Sequence, residues 1–477
     1  MDTQMPFDTS VPQGAHAAPA ASSVPVTAYN PTYDPLVSPP GQGQDYAPTY
    51  WVATAGEPPE DDGPIGGDID VDVAIVGSGF TGLSAALTLA RDFGVRAVVL
   101  EANRAVWGCT SRNGGQGQNA SGRLYRSQWI SRWGLDTAKR LDAEIREGFE
   151  YWKSLVAQVD CDAQPGGHLY TAHRQKKMAF LANEARVMRE VFGYDAKMLS
   201  QAELRERYVH DYEAVGAMHE PDGVGVHPLK LAYGYLRQAR ALGVRVHPSS
   251  PVLRWRKEPG AILLETPGGV VRARRVAFAT GGYTAQGVNP LLDNRIMPVL
   301  SNSLVTRVLT PAERDAAGLK STVFITDTRT LRFYYRLLPD GRMQIGSRSA
   351  LHGADAQHPR HLALLREGLA CKFPSLRNVD VAYSWWGWVD VSHDMMPRVT
   401  QPDPAQPVYY AFGYGGNGVA FSAQAGKRLA ERMMGKDGVA WNLPIYDSPL
   451  PGHPFAPFRR IGQALLYRWY HLRDEHL

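Results

Sequence analysis

The chain has 477 residues, 44% of them hydrophobic and 21% charged, with a formal net charge of +4. That length exceeds one ordinary core and points to two packed domains plus a tail. Lys and Arg are scattered, which excludes the basic stripe that nucleic-acid binding requires, and no apolar stretch reaches the roughly 18–20 residues that span a bilayer.

Cys109, Cys161 and Cys371 stand far apart, with neither metal-ligand spacing nor an even count for a disulfide framework. Met1–Asn30 has no basic start and no continuous apolar core of the kind a signal peptide carries, so the expected location is the cytoplasm.

Residues 1–45 are rich in Pro, Ala, Ser, Gln and Gly and show no apolar period, so they are expected to be disordered. Residues 46–69 hold an aromatic segment, Tyr46 to Trp51, and an acidic Pro/Gly linker. Val71–Val76 is β-branched and apolar, as a strand in a parallel sheet should be. Gly77-Ser-Gly79-Phe80-Thr81-Gly82 follows, then an apolar helix from Leu83 to Arg91, Gly94 as its stop, and a second strand ending at Glu101.

Further helices are expected over Lys139–Val156, His173–Phe192 and from Ser200, whose Glu203 completes a capping box. Another begins at His227-Pro228, with Pro in the first turn. Strands are expected at 244–247, 252–255, 262–265 and 275–279. Thr322–Gly346 alternates like antiparallel strands around a Pro339-Asp340-Gly341 turn. A helix over Pro359–Leu369, the aromatic run Trp385–Trp388, a strand over Val408–Phe412 and a helix ending near Met434 complete the folded part.

The glycine motif carries the first chemistry. Gly77 allows a tight turn, Gly79 lets the backbone approach a pyrophosphate, and Gly82 allows close helix–strand packing. The opening turn of the helix, with Phe80 and Thr81, offers N–H groups and a positive dipole end to phosphates. Glu101 is placed to accept from ribose hydroxyls, so strand, glycines, helix, strand and acid are all in register for a dinucleotide.

The next segment selects FAD over a nicotinamide. Trp107-Gly108-Cys109-Thr110-Ser111-Arg112-Asn113-Gly114-Gly115-Gln116 is a polar Gly-rich loop where another helix and strand would otherwise follow. It supplies donors along an extended pyrophosphate–flavin chain, with Arg112 and Asn113 expected nearest the flavin. Thr280-Gly281-Gly282 ends an apolar strand in small residues. Gly413-Tyr414-Gly415-Gly416-Asn417-Gly418-Val419 joins a strand to a helix and forms a second helix-N-terminus anion site.

These motifs, with Tyr50-Trp51, Thr54-Ala55, His227-Pro228, Phe333–Arg336, Gly341-Arg342 and Asp394–Pro397, resemble the D-amino-acid-oxidase/sarcosine-oxidase class of flavoproteins. Within the class, the branch of gamma-glutamylputrescine oxidase is the nearest in pattern.

The resemblance implies an α/β fold: a Rossmann-like FAD-binding domain with a second, α+β substrate domain built on an antiparallel sheet. The FAD domain would take residues 70–155, 221–290 and 381–440, and the substrate domain 156–220 and 291–380. Residues 441–477 would form a C-terminal extension with a helix. It further implies that the backbone of Val252 meets the adenine.

The implied activity is oxidation of an aliphatic amine, gamma-glutamylputrescine-like, by hydride transfer to flavin N5. The products would be an imine, then an aldehyde and ammonia, with hydrogen peroxide if oxygen rather than an electron carrier is the acceptor. Two alternatives stay open: a D-amino-acid or N-methyl-amino-acid dehydrogenase passing electrons to a carrier, and a catalytically idle flavoprotein partner or redox sensor.

Three departures from the class shape the expectations. No cysteine stands in Ser384–Asp394 and no histidine in the early loop, so FAD is expected to bind noncovalently. Gln344 stands where an oxygen-activating lysine precedes an Ile-Gly pair. Leu338 stands where a carboxylate-binding arginine is expected, and Arg336 is a partial substitute.

Tyr334, Trp386 and Trp388 are candidates for an aromatic amine pocket. His393 and Asp394 read as a turn beside the flavin end rather than an acid–base pair. In Phe458–Leu477, Ile461, Leu465, Leu466, Trp469 and Tyr470 recur at helical spacing, for a helix docked on the FAD domain or lying on a membrane surface.

Overall fold

A computed structural model describes residues 26–476. Its first sheet is centred on Ile69–Val76, which is buried from Val73 onward because Val73-Ala-Ile-Val76 is apolar on both faces. This strand pairs in parallel with Val98–Leu100 on one side and Gly269–Phe278 on the other. Arg245–His247 extends the sheet beyond Val98–Leu100, and Val408–Phe412 pairs in parallel with the end of Gly269–Phe278. The start of Gly269–Phe278 instead forms an antiparallel ladder with Ala261–Thr266 and, beyond it, Arg254–Glu258. The helices Phe80–Phe93, Pro228–Ala241 and Gly418–Met433 pack together beside this sheet.

The second sheet runs in the order 381–392, 296–308, 342–347, 334–337, 324–327, 168–172, 216–220, 197–200. Ile296–Val308 and Val381–Ser392 form its longest ladder, and Tyr334–Leu337 and Arg342–Ser347 form the hairpin expected at Pro339–Gly341. All its pairs are antiparallel except Phe324–Asp327 with His168–Ala172, which run parallel.

Three readings of organisation are corrected. Residues 26–45 are packed rather than disordered. Tyr33 and Asp34 are buried, Asp34 pairs with Arg460 at 3.0 Å, and the Tyr33 carbonyl accepts the indole N–H of buried Trp388. A few aromatic and polar anchors fix this segment without any apolar period. Residues 1–25, the rest of that tail, lie outside the described residues.

Second, Val381–Ser392 belongs to the second sheet, so the last FAD-side segment starts after it, at the strand Arg398–Thr400. The aromatic run sits there because Trp385 and Trp388 fill the space between the two sheets' cores. Third, the helix ending at Val156 is preceded by a shorter one from Arg126, which the periodicity does not reveal; Gly134, at φ 80° and ψ 165°, separates the two.

Candidate active site

The turn after Ile69–Val76 is built by steric necessity. Gly77 has φ +105°, a region L side chains rarely adopt, and a Cβ there would stand 2.7 Å from the Ala279 carbonyl oxygen. A Cβ on Gly82 would overlap the Gly77 carbonyl oxygen, so the helix can start this close to the strand only with glycine. The Phe80 N–H donates to Thr110 Oγ1 at 3.1 Å. Thr81 and Gly82 share this first turn, where N–H groups lack an intrahelical acceptor. Glu101 accepts the Ser78 N–H and hydroxyl through Oε2, at 3.1 and 2.7 Å, and the Asn103 N–H through Oε1.

A cavity of about 340 Å³ runs from this turn in both directions. One end is lined by Glu101, Asn103 and Val252, and the middle by Gly77, Gly79, Phe80 and Thr81, Trp107 and Gly108, and Thr280 and Gly281. The other end is lined by Arg112, Asn113 and Gly114, by Gly415, Gly416, Asn417, Gly418 and Val419, and by Tyr334.

Three expected contact residues are not in the wall. Gly82 packs behind the turn, the Ser111 hydroxyl donates to the Trp107 carbonyl at 2.8 Å, and the Gly115 N–H donates to Asn113 Oδ1. They shape the loop from beneath. Tyr33, Pro40 and Gly41, from the segment read as disordered, do line the cavity.

The residues present fit FAD. Arg112 is buried with Nε and one Nη unpaired, its guanidinium held 4.1 Å from the Trp107 ring and 5.1 Å from those of Tyr29 and Tyr283. Buried donors without acceptors at the far end of a phosphate-binding turn call for an acceptor-rich group. The loop is fixed by indoles: Trp51 Nε1 donates to the Asn113 carbonyl and Trp385 Nε1 to the Arg112 carbonyl, each at 2.8 Å. Cys109 also lines the cavity, and burial pushes its thiol up to about 12, so it stays protonated.

The substrate side departs most from the sequence reading. Tyr334 lines the cavity, its hydroxyl 2.9 Å from Ser303 Oγ. Arg336 does not: it is buried behind the loop, donating to the Val226 carbonyl at 2.6 Å and Gln164 Oε1 at 3.1 Å. Burial lowers its pKa to about 10. Arg336 shares a strand face with Tyr334, but at its level the loop at Gly115 and Val226 covers that face.

Leu338 is core, and Gln344 is buried beside Arg336 with Nε2 unpaired. Trp386 and Trp388 donate their indole N–H groups to the Pro31 and Tyr33 carbonyls and serve the N-terminal segment, not a pocket. Asp394 is paired with Arg398 and His393 packs edge-on against His453.

What the sequence reading missed is a trio of arginines. Arg123, Arg332 and Arg348 line the cavity beside Tyr334 and Tyr170. None forms a salt bridge with a carboxylate among the described residues. Arg123 and Arg348 donate to the same acceptor, the Gly415 carbonyl, at 3.2 and 3.4 Å, and Arg332 Nε has no partner. Burial, then the charges of Arg348 and Arg332, hold the Arg123 pKa well below its usual value. Arg332 and Arg348 flank stretches already singled out, but nothing in their spacing separates them from the chain's other arginines.

Residues 72–432 match the family model of the FAD dependent oxidoreductases, the DAO family. The chain belongs to this family of flavoenzymes, and FAD is its cofactor. It is similar to gamma-glutamylputrescine oxidoreductase of Escherichia coli (strain K12), at 33% identity over 90% of this chain and 99% of the relative. It is similar also to sarcosine oxidase subunit beta of an Arthrobacter species, at 25% identity over 78% of this chain and 89% of that one. The fold matches crystallised glycine oxidase from Geobacillus kaustophilus with a TM-score of 0.65 and 20% identity, covering 80% of this chain and 99% of that one. Among the described residues no helix is long and apolar enough to cross a membrane.

Proposed function

We propose that the protein oxidises an aliphatic amine that also carries a carboxylate, in the class of gamma-glutamylated diamines. FAD, held by the Gly77–Thr81 turn and the loops at Trp107–Gly114 and Gly415–Val419, would supply the acceptor for a hydride leaving the carbon that bears the amine. The nitrogen lone pair closes the C=N bond, and water then adds and releases aldehyde and ammonia. The electrons pass on to oxygen, giving hydrogen peroxide, or to a carrier.

The observation that carries this reading is the trio Arg123, Arg332 and Arg348, three guanidiniums on one cavity, none in a salt bridge with a carboxylate among the described residues. Cations held in a cavity away from bulk water call for a counter-charge, so a substrate anion completes the site. The gamma-glutamylputrescine oxidoreductase relative, aligned over nearly its whole length, supports a substrate of that kind. Tyr334 and Tyr170 give the methylene chain an aromatic wall. No side chain is needed as a nucleophile.

A second reading is favoured by one contact. Arg123 and Arg348 both reach the Gly415 carbonyl in the glycine loop, which places positive charge where the α-carboxylate of a small amino acid would also find it. Anaerobic flavin bleaching separates the two. Gamma-glutamylputrescine is expected to bleach the flavin faster than putrescine, D-alanine or sarcosine. Faster bleaching by D-alanine or sarcosine would establish the amino-acid reading instead, and no bleaching by any of them would mark an idle flavoprotein.

A further inference from the structure

The C-terminal helix Arg459–His476 is amphipathic in the reverse sense, polar inside and apolar outside. Its inner face carries Arg460, Gln463, Tyr467 and Asp474. Arg460 pairs with Asp34 and stacks 4.9 Å over Trp388; the Asp474 carboxylate takes the Thr330 N–H; and the Asp474 carbonyl lies 3.1 Å from His173 Nε2. These contacts fix the helix mainly on the N-terminal segment and the second sheet, and Arg459 reaches the FAD domain by donating to Gln286 Oε1 at 2.6 Å.

Ile461, Leu465, Trp469 and Leu472, at i, i+4, i+8 and i+11, fall on the opposite face. They are joined by Leu466 and by Phe455 and Phe458 just ahead of the helix, and all seven are 45% to 67% exposed. A helix docked to stabilise the fold would bury that stripe and expose the polar one. The cost of leaving seven large apolar side chains in water implies that something covers them.

The charges indicate what does. Both acids of the helix are engaged inward, Asp474 as above and Glu475 with Arg329 at 2.6 Å. Arg468 is exposed at the edge of the stripe. Trp469 lies within the stripe, the residue type favoured at the membrane–water boundary. A second copy meeting this face would bring arginines toward arginines, with no acid of the helix to receive them. An anionic lipid surface supplies both the apolar layer and the counter-charge.

We propose that this helix seats the protein on the surface of an anionic phospholipid bilayer, lying in the interface plane with the Ile461–Leu472 stripe immersed. The test uses the full-chain holoprotein in flotation with phosphatidylcholine vesicles, with and without phosphatidylglycerol. Co-flotation is expected with the mixed vesicles, weaker with phosphatidylcholine alone, and reduced by salt.

The Leu465→Ser/Trp469→Ser double variant should lower the partition coefficient by about tenfold or more. Its FAD content and amine turnover should stay at wild-type values, since neither residue touches the cavity. Two results would overturn the proposal: absence of co-flotation with either vesicle, or a wild-type dimer that does not float and becomes monomeric in the double variant.

Discussion

Replacing Arg123 with methionine separates a substrate-binding arginine from a structural one. Its side chain donates to one described acceptor, the Gly415 carbonyl at 3.2 Å, and lies among the charges of Arg332 and Arg348 in the cavity wall. Without an anion the third positive charge is a liability; with a substrate carboxylate present it becomes a charge-assisted hydrogen bond. Such a bond contributes about 1.5–3 kcal/mol, which corresponds to a loss of about 10- to 150-fold in kcat/KM. Arg123→Met is therefore expected to lose that factor on gamma-glutamylputrescine and much less on putrescine, which has no carboxylate. Its thermal midpoint without substrate should hold or rise, because the removed charge was repelled by its neighbours. The measurements are kcat/KM on both amines and thermal unfolding of the holoenzyme. An equal loss on both substrates, or a lowered midpoint, would refute the assignment of the trio to the substrate anion.

Purified protein should be yellow and should release all its flavin on denaturation, since the expected linkage residues are missing and the Cys109 thiol is held protonated; colour retained by the precipitate contradicts this. Gly82→Ala should abolish FAD retention, because its methyl overlaps the Gly77 carbonyl. Glu101→Ala should weaken binding by about 10- to 150-fold, the equivalent of about 1.5–3 kcal/mol, read by flavin-fluorescence titration. His227 caps the helix Pro228–Ala241 by accepting the Lys230 N–H at 3.1 Å, and burial lowers its pKa from 6.5 to about 3. Because the folded pKa is depressed, its contribution is present above pH 6.5 and lost as the pH falls toward 3, at up to about 1.4 kcal/mol per pH unit. His227→Asn should flatten that part of the stability–pH curve in denaturant titrations. A chain beginning at Gln42 should bind FAD more weakly than full-length protein, since Tyr33, Pro40 and Gly41 line the cavity; equal affinity in calorimetry would contradict this.

The cofactor half of the molecule was legible because its signals are local. Gly77, Gly79 and Gly82 between two strands, with Glu101 at the second strand's end, form one contiguous stretch whose backbone geometry leaves few alternatives. The glycine cluster 415–418 likewise sits where a strand meets a helix. The half proposed to take the substrate was not legible, because its residues converge from separate elements of the fold. Arg123 stands ahead of the helix from Arg126, and Arg332 and Arg348 stand outside the two strands of one hairpin. Arg336 and Leu338 were misplaced for the same reason. Alternation puts both on the face of Tyr334, which lines the cavity, but does not say that the loop at Gly115 and Val226 covers that face from Arg336 onward.

The two ends of the described chain were the least legible parts and meet at the same place. The N-terminal segment forms cavity wall through Tyr33, whose ring stacks 6.0 Å from Tyr283, itself one of the three aromatic rings around the Arg112 guanidinium. The next residue, Asp34, is held by Arg460 on the C-terminal helix, and Arg460 stacks on Trp388, whose indole donates to the Tyr33 carbonyl. The N-terminal segment has no apolar period and that of the C-terminal helix lies on its exposed face, because each is fixed by single ion pairs and indole hydrogen bonds rather than by a buried stripe. Such contacts contribute little individually, but here they are buried, consecutive and mutually dependent, so loss of one exposes the others to water. The helix therefore acts on the cofactor cavity from outside it: its polar face holds Asp34, Asp34 holds the 33–41 segment, and that segment closes the wall.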